Sequence, residues 1–128
     1  MEYYISKIVN GDFKNVINKA TELLKEEGFG VLTEINVKDT LKKKLDIDYK
    51  DYVILGACNP HLALRAFQSE DKIGTLLPCN VIVIDQGEGK IEIAIMNAKA
   101  LMSQIGSAGL EVLAHEAGDR LERVLDKL

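Results

Sequence analysis

The chain has 128 residues and a mass of 14.2 kDa, with 47% apolar residues, 28% charged residues and a formal net charge of −4. This length and balance are typical of a single folded domain and exclude an intrinsically disordered chain. The negative charge and the absence of about eighteen consecutive apolar residues predict that neither nucleic acid nor a membrane is a partner.

The N-terminal residues give an expectation about location. The chain begins Met1-Glu2-Tyr3-Tyr4, without the basic and then apolar residues of a secretory leader. We therefore expect a cytoplasmic protein. Its two cysteines would then stay reduced, with a structural disulfide as the second possibility.

The first part of the chain alternates strand and helix patterns. Residues 3–9 predict a first strand, and Asp12 begins an amphipathic helix that ends at Gly28. Residues 31–37 alternate in polarity and predict a half-buried second strand. Residues 39–45 predict a short helix with few apolar anchors.

The middle of the chain joins a buried strand directly to a helix. Residues 52–57 are apolar on both faces, which predicts a central strand. Asn59 is a favoured N-cap and Pro60 is favoured at the first helical position. We therefore expect a short helix over residues 61–68.

The second half of the chain predicts a hairpin and a long helix. After a break at residues 69–74, residues 79–84 form one strand, and a loop at 85–89 leads to a returning strand through Ile95. An apolar stripe predicts a helix over residues 110–128. The order of elements predicts an α+β fold of two layers, a mainly antiparallel sheet of about five strands with helices packed on one face.

Charge is distributed unevenly along the chain. Residues 53–64, 73–84 and 93–110 together contain 42 residues and a single formal charge, Lys99, where the average of the chain predicts about a dozen. These segments are either buried or face another molecule. The third segment is either core or part of a contact with a second copy, and we favour a homodimer contact that includes part of it.

The chemically versatile residues are concentrated in two of these segments. Residues 55–61 and 77–81 contain both cysteines, both prolines and one of the two histidines. Any chemistry of this protein is expected there. The candidate ligand-binding residues are Cys58, Asn59, His61, Cys79 and Asn80.

A metal site is one interpretation of these residues. Cys58 and His61 have the spacing C-x-x-H, and Cys79 could complete a set of three ligands with one open position. A structural zinc site would need a fourth ligand, which the sequence does not supply. The residues identify no particular cofactor.

Thiol chemistry is a second interpretation, and inert packing is a third. Cys58 is the candidate catalytic residue, because a thiol just before a helix N-terminus is more easily ionised. Redox pairing of Cys58 with Cys79 would require adjacent strands. Buried cysteines also pack simply as small apolar groups.

The segment Gly56-Ala57-Cys58-Asn59-Pro60, followed by Ile73-Gly74 and by Leu76-Leu77-Pro78-Cys79-Asn80-Val81, resembles the domain of unknown function 302 family. The resemblance extends over essentially the whole chain. It implies an α+β fold likened to the TATA-binding-protein type of sheet and helices, and it implies a homodimer. It implies no established activity.

Three functions therefore stay open. The leading one is a homodimeric protein that binds a small ligand or a metal near Cys58, His61 and Cys79. The others are a thiol-dependent enzyme that uses Cys58 for sulfur, redox or acyl chemistry, and a structural dimer with inert cysteines.

Overall fold

The computed structural model describes residues 2–128, and its centre is one antiparallel sheet. The five strands lie in the order β1-β5-β4-β3-β2, and every neighbouring pair is antiparallel. Their bounds are β1 Tyr4–Asn10, β2 Gly30–Asn36, β3 Tyr52–Cys58, β4 Cys79–Asp85 and β5 Lys90–Met96. The predicted α+β fold with a five-stranded antiparallel sheet is confirmed.

Five α-helices and one 3₁₀ helix connect and cover these strands. Their bounds are α1 Phe13–Glu26, α2 Val37–Leu45, α3 Pro60–Ser69, α4 Ala98–Ser103 and α5 Ala108–Lys127, with the 3₁₀ helix at Asp71–Leu76. The 3₁₀ helix lies where the sequence predicted a break. Within residues 2–128, no helix has the length and apolar character that crossing a membrane requires.

Short polar side chains begin the helices. Asp12 Oδ2 accepts a hydrogen bond from the amide of Asn15 at 3.1 Å and caps α1, as predicted. Asn36 caps α2, so this helix begins earlier than predicted, at Val37. Asn97 Oδ1 accepts from the amide of Ala100 at 3.1 Å and begins α4, a helix that the sequence pattern did not reveal.

The core lies between one face of the sheet and the helices. Residues that are paired across antiparallel strands share a face, and the row Ile95, Val81 and Leu55 is almost completely buried under the helices. Helices α1 and α5 both contact this layer, and α5 also packs against α3 and α4. The core therefore consists of a single apolar layer between sheet and helices.

The second strand differs from its prediction. Only Val31 of β2 is even half-buried, because β2 is an edge strand and a bulge between Val31 and Thr33 interrupts its pairing with β3. Alternating polarity therefore predicted the strand correctly and its burial wrongly. Edge strands have a neighbour on one side only.

The charge-poor segment 93–110 is core in part, and residues 103–106 are exposed. Ile93 and Ile95 face the helices, and Ala98, Ala100 and Met102 of α4 are buried against α5 within the protomer. Ala94 and Met96 instead share the opposite face of the sheet, because they alternate with the core residues of β5.

Candidate functional site

The two cysteine segments meet because β3 and β4 are neighbours. Ala57 pairs with Cys79, and Gly56 pairs with Asn80, at the end of β3 and the start of β4. A side chain at Gly56 would collide with the Thr33 hydroxyl and would approach Pro78 Cγ to 2.9 Å. The close packing of three chain segments therefore requires glycine at this position.

Helix α3 begins immediately after β3, and Asn59 forms the junction. Its Oδ1 accepts a hydrogen bond from the amide of Leu62 at 3.2 Å, and the residue is 7% exposed. Its Nδ2 lies 2.8 Å from the point that a Cβ on Gly28 would occupy. Gly28 has φ +86°, so the turn after α1 both requires glycine and leaves room for the Asn59 amide.

A small cavity lies at this junction, and we call it the cysteine cavity. Its volume is about 60 Å³, and it lies between the ends of β3 and β4, the 3₁₀ helix and helices α3, α4 and α5. Its lining residues are Phe29, Ala57, Cys58, Asn59, Leu62, Ala63, Ala66, Ile73, Leu77, Pro78, Cys79, Ala98, Met102, Leu110, Leu113, Ala114 and Ala117. Apart from one amide and two thiols, every lining side chain is apolar.

The structure brings together three of the five predicted site residues. Cys58, Asn59 and Cys79 line the cysteine cavity. His61 is exposed on α3, and Asn80 is exposed on the face of the sheet opposite to Cys79. The reason is alternation: one step along β4 turns Asn80 away from the helices, and one helical step turns His61 outward.

The predicted three-ligand metal set is not assembled. Within residues 2–128, no three His, Cys, Asp or Glu side chains lie close enough together to hold a metal ion. His61 faces solvent while Cys79 is buried, so the spacing C-x-x-H does not converge with the second cysteine. Metal binding by Cys58, His61 and Cys79 therefore does not fit the geometry.

The two thiols differ in their environments. Burial raises the pKa of Cys79 to about 11, and the nearby Cys58 thiol adds to this rise. Cys79 is therefore a neutral thiol at physiological pH and a poor nucleophile. Cys58 is half-buried and is the more accessible of the two.

Much of the cavity wall comes from residues that the sequence analysis did not single out. Met102 on α4, and Leu110 and Ala114 on α5, form part of this wall. The signal was present in the sequence as the charge-poor segment 93–110, but that pattern does not say which apolar segment faces which. The long-range packing of α5 on α3 and α4 decided it.

These features define a two-layer α+β protein with a small apolar cavity where its two central strands meet α3. A family model described as domain of unknown function DUF302 matches residues 5–128, so the chain belongs to the DUF302 family. None of the curated proteins matches it.

A solved structure agrees with this assignment. The chain is similar to the crystal structure of an uncharacterized conserved DUF302 protein from Bacillus stearothermophilus, with 30% sequence identity and a TM-score of 0.90. The match covers 99% of this chain and 98% of that chain. The family that the cysteine segments indicated is thereby confirmed, and the match extends over nearly the whole chain.

Proposed function

We propose that this protein is a homodimer that binds a small, uncharged and largely apolar molecule, or the apolar end of a larger one, in the cysteine cavity. The observation that carries the proposal is the cavity itself, formed by both cysteine segments and lined almost entirely by apolar side chains. Concave apolar sites with a few placed polar groups are the usual form of small-molecule sites.

The size of the cavity limits the ligand. Its volume of about 60 Å³ exceeds the roughly 10–15 Å³ that one water molecule requires, and it is well below the roughly 300–1,000 Å³ of sites for drug-sized ligands and cofactors. A complete nucleotide or flavin does not fit such a volume. A group of a few heavy atoms does.

The lining limits the chemistry of the ligand. A charged group would lose its hydration without gaining an opposite charge, because the polar groups here are the Asn59 amide and two thiols. The Asn59 Oδ1 is already engaged by the amide of Leu62. A ligand with at most one hydrogen-bonding atom suits this site best.

Xenon is a direct probe, because it enters apolar cavities and needs no hydrogen bond. We expect crystals held under xenon pressure to show one xenon atom in the cysteine cavity. Ala114→Leu, which directs a larger side chain into the cavity, should abolish that peak. Ala108→Leu makes the same change at an exposed position of α5 and should leave the peak unchanged. No xenon in the wild-type cavity would overturn the proposal.

A second candidate is a thiol-dependent enzyme that uses Cys58. It is supported by the partial exposure of Cys58 and by its position just before the N-cap of α3. Rapid, selective alkylation of Cys58 at neutral pH would favour it. If neither cysteine is alkylated in the folded protein and the cavity stays empty under xenon, the structural dimer is favoured.

The cytoplasm is the compartment that we propose for this protein. Both cysteines are free thiols, which suits a reducing environment. Fractionation of cells that express the untagged chain tests this point, and recovery outside the cytoplasm would contradict it.

A further inference from the structure

The face of the sheet opposite to α1 and α5 carries aliphatic side chains in its two middle rows, and we call it the open face. Cross-strand pairing assigns its residues, because paired positions share a face. One row is Ser6, Ala94, Ile82, Ile54 and Ile35, and the next is Ile8, Glu92, Ile84 and Tyr52. Aliphatic side chains therefore run across all five strands.

Two aliphatic side chains of this face are well exposed in the protomer, while Ala94 and Ile84 of the same rows are buried beneath their neighbours. Ile8 is 59% exposed on β1 and Ile35 is 48% exposed on β2, at opposite edges of the sheet. Between them, Ile54 and Ile82 are half-buried. Apolar surface that is contiguous over a whole sheet marks an interaction site more often than a random surface.

Tyrosines border the open face. Tyr3 and Tyr4 form an edge-to-face pair with ring centroids 4.9 Å apart. Tyr52 lies in the second row of the open face, and burial is the main cause that raises its pKa above the ordinary value of 10.0. Tyr3, Tyr4 and Tyr52 thus border or lie on this face, and tyrosine is enriched in protein interfaces.

The area is sufficient for a stable contact. Five strands about 4.8 Å apart, with seven residues each rising about 3.3 Å, present a flat projection of roughly 550 Å². Two such faces together exceed the roughly 1,000 Å² that a specific interface needs, and side-chain relief increases the area further.

The charges of the open face suit a second copy of the same chain. Among the paired rows the charged side chains are Lys90 and Glu92, of opposite sign and two residues apart on β5. In a two-fold contact, a residue of one copy meets a different residue of the other copy, and the reverse contact is also made. Lys90 of each copy can therefore pair with Glu92 of the other, without a separate acidic or basic partner. The uncharged centre needs only apolar contact.

We propose that two copies of this chain pack open face to open face, with the sheets in the centre and α1, α3, α4 and α5 outside. The proposal rests on the homodimer proposed above and specifies its surface. The cysteine cavity lies on the helix side of each sheet and stays outside the contact. The contact also explains why the sheet carries aliphatic side chains on both faces.

Sedimentation equilibrium of the untagged protein tests the proposal with three variants. Ile8→Lys changes a residue that is 59% exposed in the protomer and should fold normally, and Ile54→Lys changes the centre of the face. Leu64→Lys is the control, because Leu64 is 57% exposed on α3, away from the sheet. Circular dichroism of each variant verifies the fold.

We expect a dimer for the wild type and for Leu64→Lys, and dimerisation at least about 30-fold weaker for Ile8→Lys and for folded Ile54→Lys. An unchanged dimer in Ile8→Lys, or dissociation by Leu64→Lys, would overturn the choice of face while the homodimer stands. A wild type that stays monomeric at high concentration would overturn the homodimer itself. Ligand binding in the cavity is independent of either result.

Discussion

Ala57 on β3 lies directly opposite Cys79 on β4, and this one pair joins the two cysteine segments of the sequence. Because paired residues share a face, Cys79 points toward the helices and is 8% exposed. Cys58, one residue beyond Ala57, keeps partial exposure. The two thiols are thus neighbours with different access to solvent.

The first prediction is selective alkylation. At pH 7.5 in the folded protein, iodoacetamide should modify Cys58 and leave Cys79 unmodified, because a thiol with a pKa of about 11 is ionised in only about one molecule in several thousand. Peptide mass spectrometry at timed intervals measures both rates. A Cys58→Ser variant should stay unlabelled until denaturant is added, and equal labelling of the two thiols in the folded chain would contradict the burial of Cys79.

The second prediction concerns alkaline pH. The folded chain keeps Cys79 protonated up to a pKa of about 11, whereas the unfolded chain releases this proton near the ordinary value of 9.0. The unfolded state then binds fewer protons, so the free energy of unfolding falls as pH rises from about 9 to 11. A difference of about two pKa units corresponds to roughly 2–3 kcal/mol.

Urea unfolding at pH 8 and at pH 10.5 measures this effect. Other groups titrate in the same range, so the useful quantity is the difference between the wild type and Cys79→Ala. The wild type should lose more stability than the variant as pH rises. Parallel losses in both proteins would show that Cys79 is not the responsible group.

The third prediction concerns the contact of Gly56 with Thr33 and Pro78. Gly56→Ala places a Cβ against the Thr33 hydroxyl and 2.9 Å from Pro78 Cγ, so it should lower the free energy of unfolding by about 1–3 kcal/mol. Gly30→Ala is the matched control on the neighbouring strand, because nothing lies within 4 Å of its Cβ position. Urea titration compares the two variants.

A double variant sharpens this test. Adding Thr33→Ala to Gly56→Ala removes the hydroxyl and should restore part of the lost stability, while the Pro78 contact remains. Equal stability of Gly56→Ala and the wild type would mean that the three segments are less closely packed than described.

The fourth prediction concerns Asn59, which caps α3 and lines the cavity. Asn59→Ala removes the acceptor for the amide of Leu62 and should lower the free energy of unfolding by about 1–2 kcal/mol. Asn59→Ser supplies a new acceptor at the same position and should recover much of this loss. Thermal unfolding ranks the stability of the wild type and the two variants. A serine variant no more stable than the alanine variant would argue against the capping role.

Local patterns predicted much of the fold because they depend on neighbouring residues. The α1 pattern with Asp12 at its start and Gly28 at its end, and the hairpin of β4 and β5, were correct. Helix α4 was not predicted, although Asn97 is a good cap, because a helix of six residues carries too little periodicity to stand out.

The candidate site was also predicted only in part. The sequence alone identified Cys58, Asn59 and Cys79, since unusual residues beside prolines and a helix start are visible in the chain. It also suggested His61 and Asn80, which the structure turns away from the cavity. Spacing along a chain does not specify which face of a strand or helix a side chain is on: Asn80 alternates with Cys79 along β4, and His61 lies on the outer side of α3.

The amino-acid sequence by itself determined the periods of two and 3.6 residues, the caps and the turns, because these follow from interactions a few residues apart. Only the tertiary structure decided that Ala57 faces Cys79, that α5 closes the cavity and that Ile8 and Ile35 are exposed in the protomer. Those features depend on which apolar surfaces pack together across the chain, and many arrangements of the same local elements would satisfy the same pattern.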